Sequence, residues 1–383
     1  MPVRAFIGSA AICSVIILLG CGGGGSGNNN NNPPPQNPTA ATPTIATSTS
    51  NGAQNGAVIV SLATTTAGGT IYYTTDNSTP TTASIQYLAP FLLTSSATVN
   101  AIAVLAGDNN STMGSQNITA NVASGSLAWS DEFSNATAAS TGPNANIWTY
   151  DTGNNGFGNS ELENYCAWGS NTSPCSAASP NAYIAAGGGL HIVAMQPSAG
   201  VYTSARMKTQ GLFSFQYGRI EAQLHLPESQ GMWPAFWLLG NNIATINWPS
   251  CGELDVMEHI DGSNPPPYVG GAPLGYDWTQ SSIHGTGLGA GNPYTANGFS
   301  AADAHKYGMI WKKGQIQFYV DDPSKIYETF STTTPGTGTW PFDQGPQFIL
   351  LNLAVGGSWP GNPDATTVFP GQYVVDYVRI YAN

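Results

Sequence analysis

The chain carries the sequence Trp248-Pro-Ser-Cys-Gly-Glu253-Leu-Asp255-Val-Met-Glu258-His259, in which three carboxylates fall within six residues of an apolar run typical of a β-strand. Side chains alternate along a strand, so Glu253 and Asp255 share one face and strict alternation turns Glu258 to the other. A β-bulge, which adds one residue to a strand, turns Glu258 back. The sequence therefore predicts a bulged strand on which all three carboxylates converge.

This convergence indicates a specific chemistry. Only 8% of the residues are charged, so three carboxylates in one short run indicate a site. The alternative is a strand end whose acids point into water, but the intervening Val256 and Met257 argue against it. Two converging carboxylates with a third between them suit glycoside hydrolysis, in which one acts as nucleophile or base and the other as proton donor.

The composition bounds the size, the fold class and the partners. With 383 residues, 41% of them hydrophobic, the chain has room for two or three domains with packed cores. Its 46 Gly and 27 Pro, with many Thr, Ser and Asn, indicate short strands and turns. A formal net charge of -12 disfavours nucleic acid, anionic membrane surfaces and polyanionic substrates as partners.

Residues 1–20 are typical of a targeting segment, with Arg4 ahead of an apolar stretch. The sequence Leu18-Leu-Gly-Cys21 resembles a bacterial lipobox, which implies cleavage before Cys21 and lipid attachment to it. Residues 21–40, rich in Gly, Asn and Pro, are typical of a flexible tether. We expect a secreted, monomeric lipoprotein at the outer membrane, the cell surface or the periplasm. The alternative is an ordinary secretory signal or an uncleaved anchor.

Three cysteines lie in the expected globular part. Cys166 and Cys175 occupy a polar stretch and can close a disulfide in an oxidising compartment. Cys251 then has no partner for a disulfide. We expect it to be a small buried hydrophobe rather than a nucleophile.

Residues 41–124 carry short alternating runs separated by turns, such as Val58-Ile-Val-Ser-Leu62. This pattern predicts a small immunoglobulin-like sandwich. The sequence Ile71-Tyr-Tyr-Thr-Thr-Asp76-Asn-Ser-Thr-Pro80 resembles the immunoglobulin-like C-terminal module of chitobiases. We interpret the segment as a spacer or weak accessory domain, with sugar binding as the alternative.

Residues 127–383 carry aromatic residues and strand patterns throughout. Apolar residues alternate in Tyr217-Gly-Arg-Ile-Glu-Ala-Gln-Leu-His-Leu226. By contrast, Gln347-Phe-Ile-Leu-Leu-Asn-Leu-Ala-Val355 is nearly continuous in apolar residues, as in a central strand covered on both sides. The predicted fold is therefore all-β, with a large antiparallel sandwich after the small one.

Residues 127–383 resemble glycoside hydrolase family 16, in particular its bacterial laminarinase branch of endo-β-1,3-glucanases. The resemblance implies a β-jelly roll with a concave cleft for an extended polysaccharide, and a bulged catalytic strand. The matching blocks are Trp129-Ser-Asp-Glu-Phe133, Gly158-Asn-Ser-Glu-Leu162, Tyr202-Thr-Ser-Ala-Arg206, Tyr217-Gly-Arg-Ile-Glu221, Gly231-Met-Trp-Pro-Ala-Phe-Trp-Leu-Leu-Gly240, Glu253 to Glu258, Asn352-Leu-Ala-Val-Gly-Gly357 and Val375-Asp-Tyr-Val-Arg379.

The resemblance implies that Glu253 is the nucleophile, that Glu258 is the acid/base and that Asp255 tunes both. A retaining mechanism places the two carboxyl groups about 5–5.5 Å apart, where their repulsion raises one apparent pKa. Glu258 would hold that proton, deliver it to the leaving oxygen and later activate water. No cofactor is expected for catalysis.

Four tryptophans are candidates for the walls of the cleft. Trp233 and Trp237 are four residues apart and share one face of a strand, and the resemblance implies that they form the floor. Trp248 precedes the catalytic strand, and Trp359 is a candidate for the cleft edge. The alternative for any one of them is a place in the core.

Three polar residues are candidates for substrate binding. Asn159 and Arg206 can hydrogen-bond to sugar hydroxyls, with an ion pair to a nearby acid as the alternative for Arg206. His284 is expected beside Glu258, where it would donate to the substrate, although a lone histidine is usually structural.

The resemblance also implies a structural calcium on the convex side. Its side-chain ligands would be Glu132 and Asp376, with backbone carbonyls completing the oxygen shell that calcium prefers. The alternative is two surface acids.

The predicted function is retaining endo-hydrolysis of β-1,3-glucosidic bonds in laminarin-like β-glucans. Mixed-linkage β-glucanase, agarase and carrageenase activities are alternatives on the same fold, the last disfavoured because sulfated substrates need a basic cleft. A non-catalytic glucan-binding protein is another alternative, but such relatives lose the glutamates that stand here as Glu253 and Glu258. A purely structural lipoprotein would leave the carboxylates unexplained.

Overall fold

The computed structural model describes residues 36–261, 277–334 and 338–383. The leader of residues 1–20, Cys21 and most of the tether lie outside this part, so lipid attachment at Cys21 stays a prediction. No helix within the described ranges has the length and apolar character needed to cross a membrane.

Nearly all regular structure is β-strand, as the composition predicts. Two short helical segments are described, a 3-10 helix at Gly156–Gly158 and α1 at Ile243–Ile246. The strands are β1 (Thr44–Ser48), β2 (Val58–Ala63), β3 (Thr70–Thr74), β4 (Ile85–Gln86), β5 (Phe91–Leu93), β6 (Ser95–Val104), β7 (Gly114–Asn121), β8 (Leu127–Asp131), β9 (Thr149–Asp151), β10 (Glu163–Tyr165), β11 (Ala182–Ile184), β12 (Leu190–Ser198), β13 (Val201–Ser204), β14 (Arg206–Lys208), β15 (Gly218–His225), β16 (Met232–Gly240), β17 (Glu253–Glu258), β18 (Thr279–Gly285), β19 (Leu288–Tyr294), β20 (His305–Lys312), β21 (Gln315–Val320), β22 (Ile326–Ser331), β23 (Gln347–Val355) and β24 (Gly371–Tyr381).

The first seven strands form the small sandwich predicted for residues 41–124. One sheet has the order β1-β2-β5 and the other β4-β3-β6-β7. Val60, Tyr73 and Val99 are buried in the core between the two sheets. Alternation along each strand supplies these inward-facing side chains.

Strands β8 to β24 form the large sandwich. One sheet has the order β10-β13-β12-β24-β15-β20-β21-β22, with β11 beside β12 and β8 beside β24. The other has the order β19-β18-β17-β16-β23-β14-β9. The pairs are antiparallel, except that β10 and β13 run parallel. The all-β prediction with a large antiparallel sandwich is confirmed.

Alternation also builds the core of the large sandwich. In β15, Ile220 and Leu224 are buried in that core, as predicted. Every residue of β23 is buried, because this strand runs through the middle of the seven-stranded sheet. Leu351 and Leu353 belong to the core, whereas Asn352 between them lines a cleft on the opposite face. The seven-stranded sheet thus has one face for packing and one for binding.

The cysteines behave as predicted. Cys166 and Cys175 form a disulfide in the segment after β10, and Cys251 is a buried free thiol. The disulfide closes a short loop of the chain at the edge of the sandwich.

Candidate active site

The bulge predicted for β17 is present, and Val256 is the extra residue. On β16, Trp237 lies opposite Asp255, and the residue before it lies opposite Met257. Val256 and Met257 are both buried in the hydrophobic core. The chain therefore returns Glu258 to the face that carries Asp255.

The structure brings together all ten residues predicted to act on or bind the substrate. They line one cleft of about 620 Å³ on the seven-stranded sheet. These residues are Asn159, Arg206, Trp233, Trp237, Trp248, Glu253, Asp255, Glu258, His284 and Trp359.

Each glutamate accepts a hydrogen bond from an indole. Trp248 Nε1 donates to Glu253 Oε2 at 3.0 Å, and Trp233 Nε1 donates to Glu258 Oε1 at 3.1 Å. A charged acceptor strengthens such bonds, and two donors on different elements fix the directions of the two carboxyl groups. The two indoles are therefore part of the acid cluster as well as of the cleft wall.

Asp255 is held by β18. Ser282 Oγ donates to Asp255 Oδ2 at 2.5 Å, and His284 Nε2 lies 3.2 Å from the same oxygen. His284 Nε2 is also 3.9 Å from Glu253 Oε1. The register of β18 places His284 opposite Glu253 and Gln280 opposite Glu258, so His284 meets the cluster at Asp255 and Glu253.

The charges and the burial of the cluster determine how the two glutamates titrate. Burial, followed by the charge of Asp255, raises the pKa of both Glu253 and Glu258. The charge of Glu253 adds to the rise at Glu258, and the positive charge of His284 opposes the shift at both sites. The two glutamates therefore titrate as a coupled pair, which releases its two protons in separate steps and so can hold one proton between them.

The same cluster contains residue types that bind metal ions, but its histidine is held in the protonated form. One ligand atom from each of Glu253, Asp255 and His284 lies within 4.8 Å of the others. Burial opposes the charged form of His284, but the hydrogen bond and charge of Asp255 raise its pKa to about 9. A metal ligand must be a neutral imidazole. At neutral pH His284 is therefore protonated and paired with Asp255.

The two expected calcium ligands line a common hollow beside the sheet that contains β8 and β24. Arg379 Nε and Nη2 donate to the two carboxylate oxygens of Glu132 at 2.9 and 2.7 Å. Gln223 Nε2 donates to Asp376 Oδ2 at 2.8 Å. Arg379 thus occupies both oxygens of Glu132, and its positive charge disfavours a cation beside them. Calcium binding stays a prediction.

The tryptophans of the cleft differ in how much surface they offer. Trp248 is 57% exposed, whereas Trp237 is only 8% exposed. The guanidinium of Arg206 lies over the Trp237 ring, 4.6 Å from its centroid, so that face is covered. Trp359 packs edge-on against Trp233, with ring centroids 5.2 Å apart. Trp248 is thus the open platform, and Trp237 is a supporting floor residue.

The ion pair considered as the alternative for Arg206 is formed, and it lies in the cleft. Arg206 Nε donates to Asp151 Oδ2 at 3.0 Å. The guanidinium also lies over the ring of Phe157, 5.2 Å from its centroid. Asp151 was missed from the sequence because it lies far from Arg206 in the chain and meets it only through the pairing of β9 with β14.

A buried hydrogen-bond chain supports the cleft floor, and the sequence reasoning missed it. Glu161 accepts from Asn159 Nδ2 at 3.0 Å and from the Tyr165 hydroxyl at 2.8 Å. Asn352 Nδ2 donates to that hydroxyl at 3.4 Å, and Asn352 Oδ1 accepts from Trp237 Nε1 at 2.7 Å. The only signal was the single polar residue Asn352 in the otherwise apolar run from Phe348 to Val355. A polar group in such a place needs a buried partner.

A second buried carboxyl pair lies beside this chain. Glu163 is fully buried, and its Oε2 accepts from the backbone N–H of Val355 at 2.6 Å. Burial, followed by the nearby charge of Glu161, raises the pKa of Glu163 to about 8. Glu163 is therefore protonated in the folded protein near neutral pH.

Comparison with known proteins places the chain among carbohydrate-active enzymes. Residues 170–379 match the family model Glycosyl hydrolases family 16, and residues 49–115 match the Chitobiase/beta-hexosaminidase C-terminal domain. A beta-glucanase of Rhodothermus marinus is 37% identical over 269 residues, which cover 67% of this chain and 84% of that protein. Glucan endo-1,3-beta-glucosidase A1 of Niallia circulans is 32% identical over 284 residues, which cover 68% of this chain and 38% of that protein. The structure of an endo-beta-1,3-glucanase from Pyrococcus furiosus superposes with a TM-score of 0.55 at 36% identity, covering 67% of this chain and 94% of that one.

The buried Glu163 predicts a loss of stability with rising pH. Its folded pKa is above its unfolded value, so the unfolded chain binds fewer protons and the free energy of unfolding falls from about pH 5 to about pH 8. Glu163→Gln removes this contribution. The variant should gain roughly 2–4 kcal/mol of unfolding free energy relative to the wild type between pH 5 and pH 9, measured by denaturant unfolding.

Glu228→Gln, at an exposed glutamate, is the matched control and should differ from the wild type by a constant amount. A pH-independent difference for Glu163→Gln would show that Glu163 is not protonated in the folded state.

Proposed function

Because the chain belongs to glycosyl hydrolases family 16, we propose that it hydrolyses β-1,3-glucosidic bonds of laminarin-like β-glucans as a retaining endo-enzyme. Glu253 acts as the nucleophile and Glu258 as the acid/base. The observation that supports this proposal most directly is the bulge at Val256, through which three carboxylates meet in one cleft. The activities in the names of the relatives support the substrate class.

In the first step, the carboxylate of Glu253 attacks the anomeric carbon and forms an ester as the glycosidic bond breaks. Glu258 gives its proton to the leaving glycosidic oxygen, which departs as a hydroxyl. The hydrogen bond from Trp248 fixes one oxygen of Glu253 and so orients the attacking carboxylate. Trp233 does the same for Glu258.

In the second step, water hydrolyses the ester. Esterification removes the negative charge of Glu253, which lowers the pKa of Glu258 and lets it accept a proton from the attacking water. Asp255 keeps its position throughout, because Ser282 and His284 hold it. One pair of glutamates thus serves both half-reactions.

The shape of the cleft suits an internal segment of a polysaccharide. Its lining comes from five neighbouring strands, β18, β17, β16, β23 and β14. Strands lie about 4.8 Å apart, so a cleft that crosses five of them holds an extended chain of several sugars. The exposed Trp248 offers an apolar face for stacking beside the nucleophile.

Replacing the nucleophile tests the assignment of Glu253. Glu253→Gln should lower kcat on laminarin by about 10³-fold or more, because the amide cannot form the ester, while affinity for laminari-oligosaccharides is retained. Reducing-sugar release gives the rate, and calorimetric titration gives the affinity. Glu228→Gln should behave as the wild type, whereas near-normal hydrolysis by Glu253→Gln would remove this residue from the mechanism.

The pH profile tests the role of His284. Its positive charge opposes the rise in the pKa of Glu253, so His284→Gln should raise that pKa and move the acidic limb of kcat/KM upward by about one pH unit. His225→Gln, at a histidine beside Asp376 on the other sheet, is the control. An acidic limb that stays in place in His284→Gln would mean that this charge does not act on Glu253.

A substrate panel tests the linkage. Reducing sugar should be released from laminarin, with less from the mixed-linkage glucan lichenan and none from agarose. Release from agarose but not laminarin would assign the cleft to a different polysaccharide. No release from any of the three would favour the glucan-binding alternative.

A further inference from the structure

The sheet β1-β2-β5 of the small sandwich lies between two hydrophobic cores. Val60 of β2 and Phe91 of β5 are buried in the core of the small sandwich. Their neighbours Ile59 and Leu92 belong to the core of the large sandwich. Strands that are apolar on both faces are covered on both sides, so β2 and β5 are internal to the folded chain, whereas β1 at the edge of this sheet is largely exposed.

Backbone hydrogen bonds join the two sandwiches near β8. Ser130 N–H donates to Gly52 O at 2.9 Å, and Gln54 N–H donates to Ala128 O at 2.9 Å. The Gln54 side chain adds a bond from its Nε2 to Ser130 Oγ at 2.6 Å. Reciprocal backbone bonds of this kind are strand pairing, which a loose surface contact does not make.

A second joint lies between β5 and the segment before β15. Leu92 N–H donates to Ser214 O at 3.0 Å, and Ser214 N–H donates to Pro90 O at 2.9 Å. The residue after Ser214 exchanges backbone bonds with Gln347, where β23 begins, at 3.1 and 2.9 Å. The joint is therefore continuous with the strand that carries Asn352 into the cleft floor.

The small sandwich also seals a core tryptophan. Trp129 is fully buried and stacks on Phe213 with ring centroids 4.4 Å apart, and its Nε1 donates to Asn51 O at 2.7 Å. Gly52 has a φ of 90°, and a Cβ at this position would lie 2.7 Å from Trp129 Nε1. Only glycine allows this close approach.

The described residues of the small sandwich do not offer an aromatic sugar platform. Their aromatic side chains, Tyr72, Tyr73, Tyr87 and Phe91, are buried or half-buried. Proteins stack sugars on exposed aromatic faces. Tyr73 and Phe91 lie in the core of the small sandwich, and Tyr87 packs against that core.

From these contacts we infer that the small sandwich is an integral part of the catalytic folding unit. Residues 41–124 pack on the surface of the large sandwich around Trp129 and Ser214. In addition to any role as a spacer, this segment then completes the hydrophobic core of the large sandwich. This inference rests on packing alone and does not depend on the identity of the substrate.

The tryptophans make a direct test possible, because all 10 of them lie in residues 127–383. Thermal unfolding followed by tryptophan fluorescence therefore reports on the large sandwich and, through Trp129, on its joint with the small one. Gly52→Ala in the full chain should lower that midpoint by about 3 °C or more relative to Gly107→Ala. Gly107 is the matched control, since its φ is 93° and a Cβ there meets nothing within 4 Å.

A second pair of substitutions, which are less disruptive, tests the inference if Gly52→Ala does not fold. Gln54→Ala, which removes the bond to Ser130, should also lower the fluorescence midpoint, whereas Gln116→Ala at an exposed position of the same sandwich should not. Calorimetry should show one transition that moves with the fluorescence. Two transitions, with the tryptophan midpoint unmoved in both Gly52→Ala and Gln54→Ala, would overturn the inference.

Discussion

The cleft depends on one extra residue, Val256, in a strand that is otherwise regular. Val256 and Met257 both bury apolar side chains in the core, and this packing holds the bulge in place. If the same sequence paired as a regular strand, with no bulge, alternation would turn Glu258 into the hydrophobic interior, where an unpaired carboxylate costs several kcal/mol. Packing of Val256 and Met257 in the core therefore favours the bulged strand over the regular one. The bulge in turn brings the three acids together on the opposite face.

Holding three acids together is unfavourable, and the structure offsets the cost locally. The mutual repulsion and burial of the carboxyl groups raise the pKa of Glu253 and Glu258, so a proton is retained where the reaction needs one. His284 supplies the opposing positive charge, and two indole N–H groups supply hydrogen bonds.

The sequence predicted the features that depend on local alternation and missed those that depend on register. The bulge and the shared face of the carboxylates follow from counting along β17 itself. The contact of His284 with Asp255 depends on how β18 is shifted against β17, which no local pattern encodes. The chain of bonds from Glu161 to Asn352 joins segments far apart in sequence. The run around Ile59 was apolar on both faces, and only the structure shows that the second face is covered by another core.

Register also decides which side chains of a strand face the cleft. A slip of one residue moves every side chain of a strand to the opposite face, so strands that mix core and cleft residues need a fixed register. In β23 the antiparallel pairing of all nine residues with β16 fixes it. Asn352 then faces Trp237 instead of the core. At its first residue, Gln347, β23 also pairs with Phe215, next to the joint that Ser214 makes with the small sandwich.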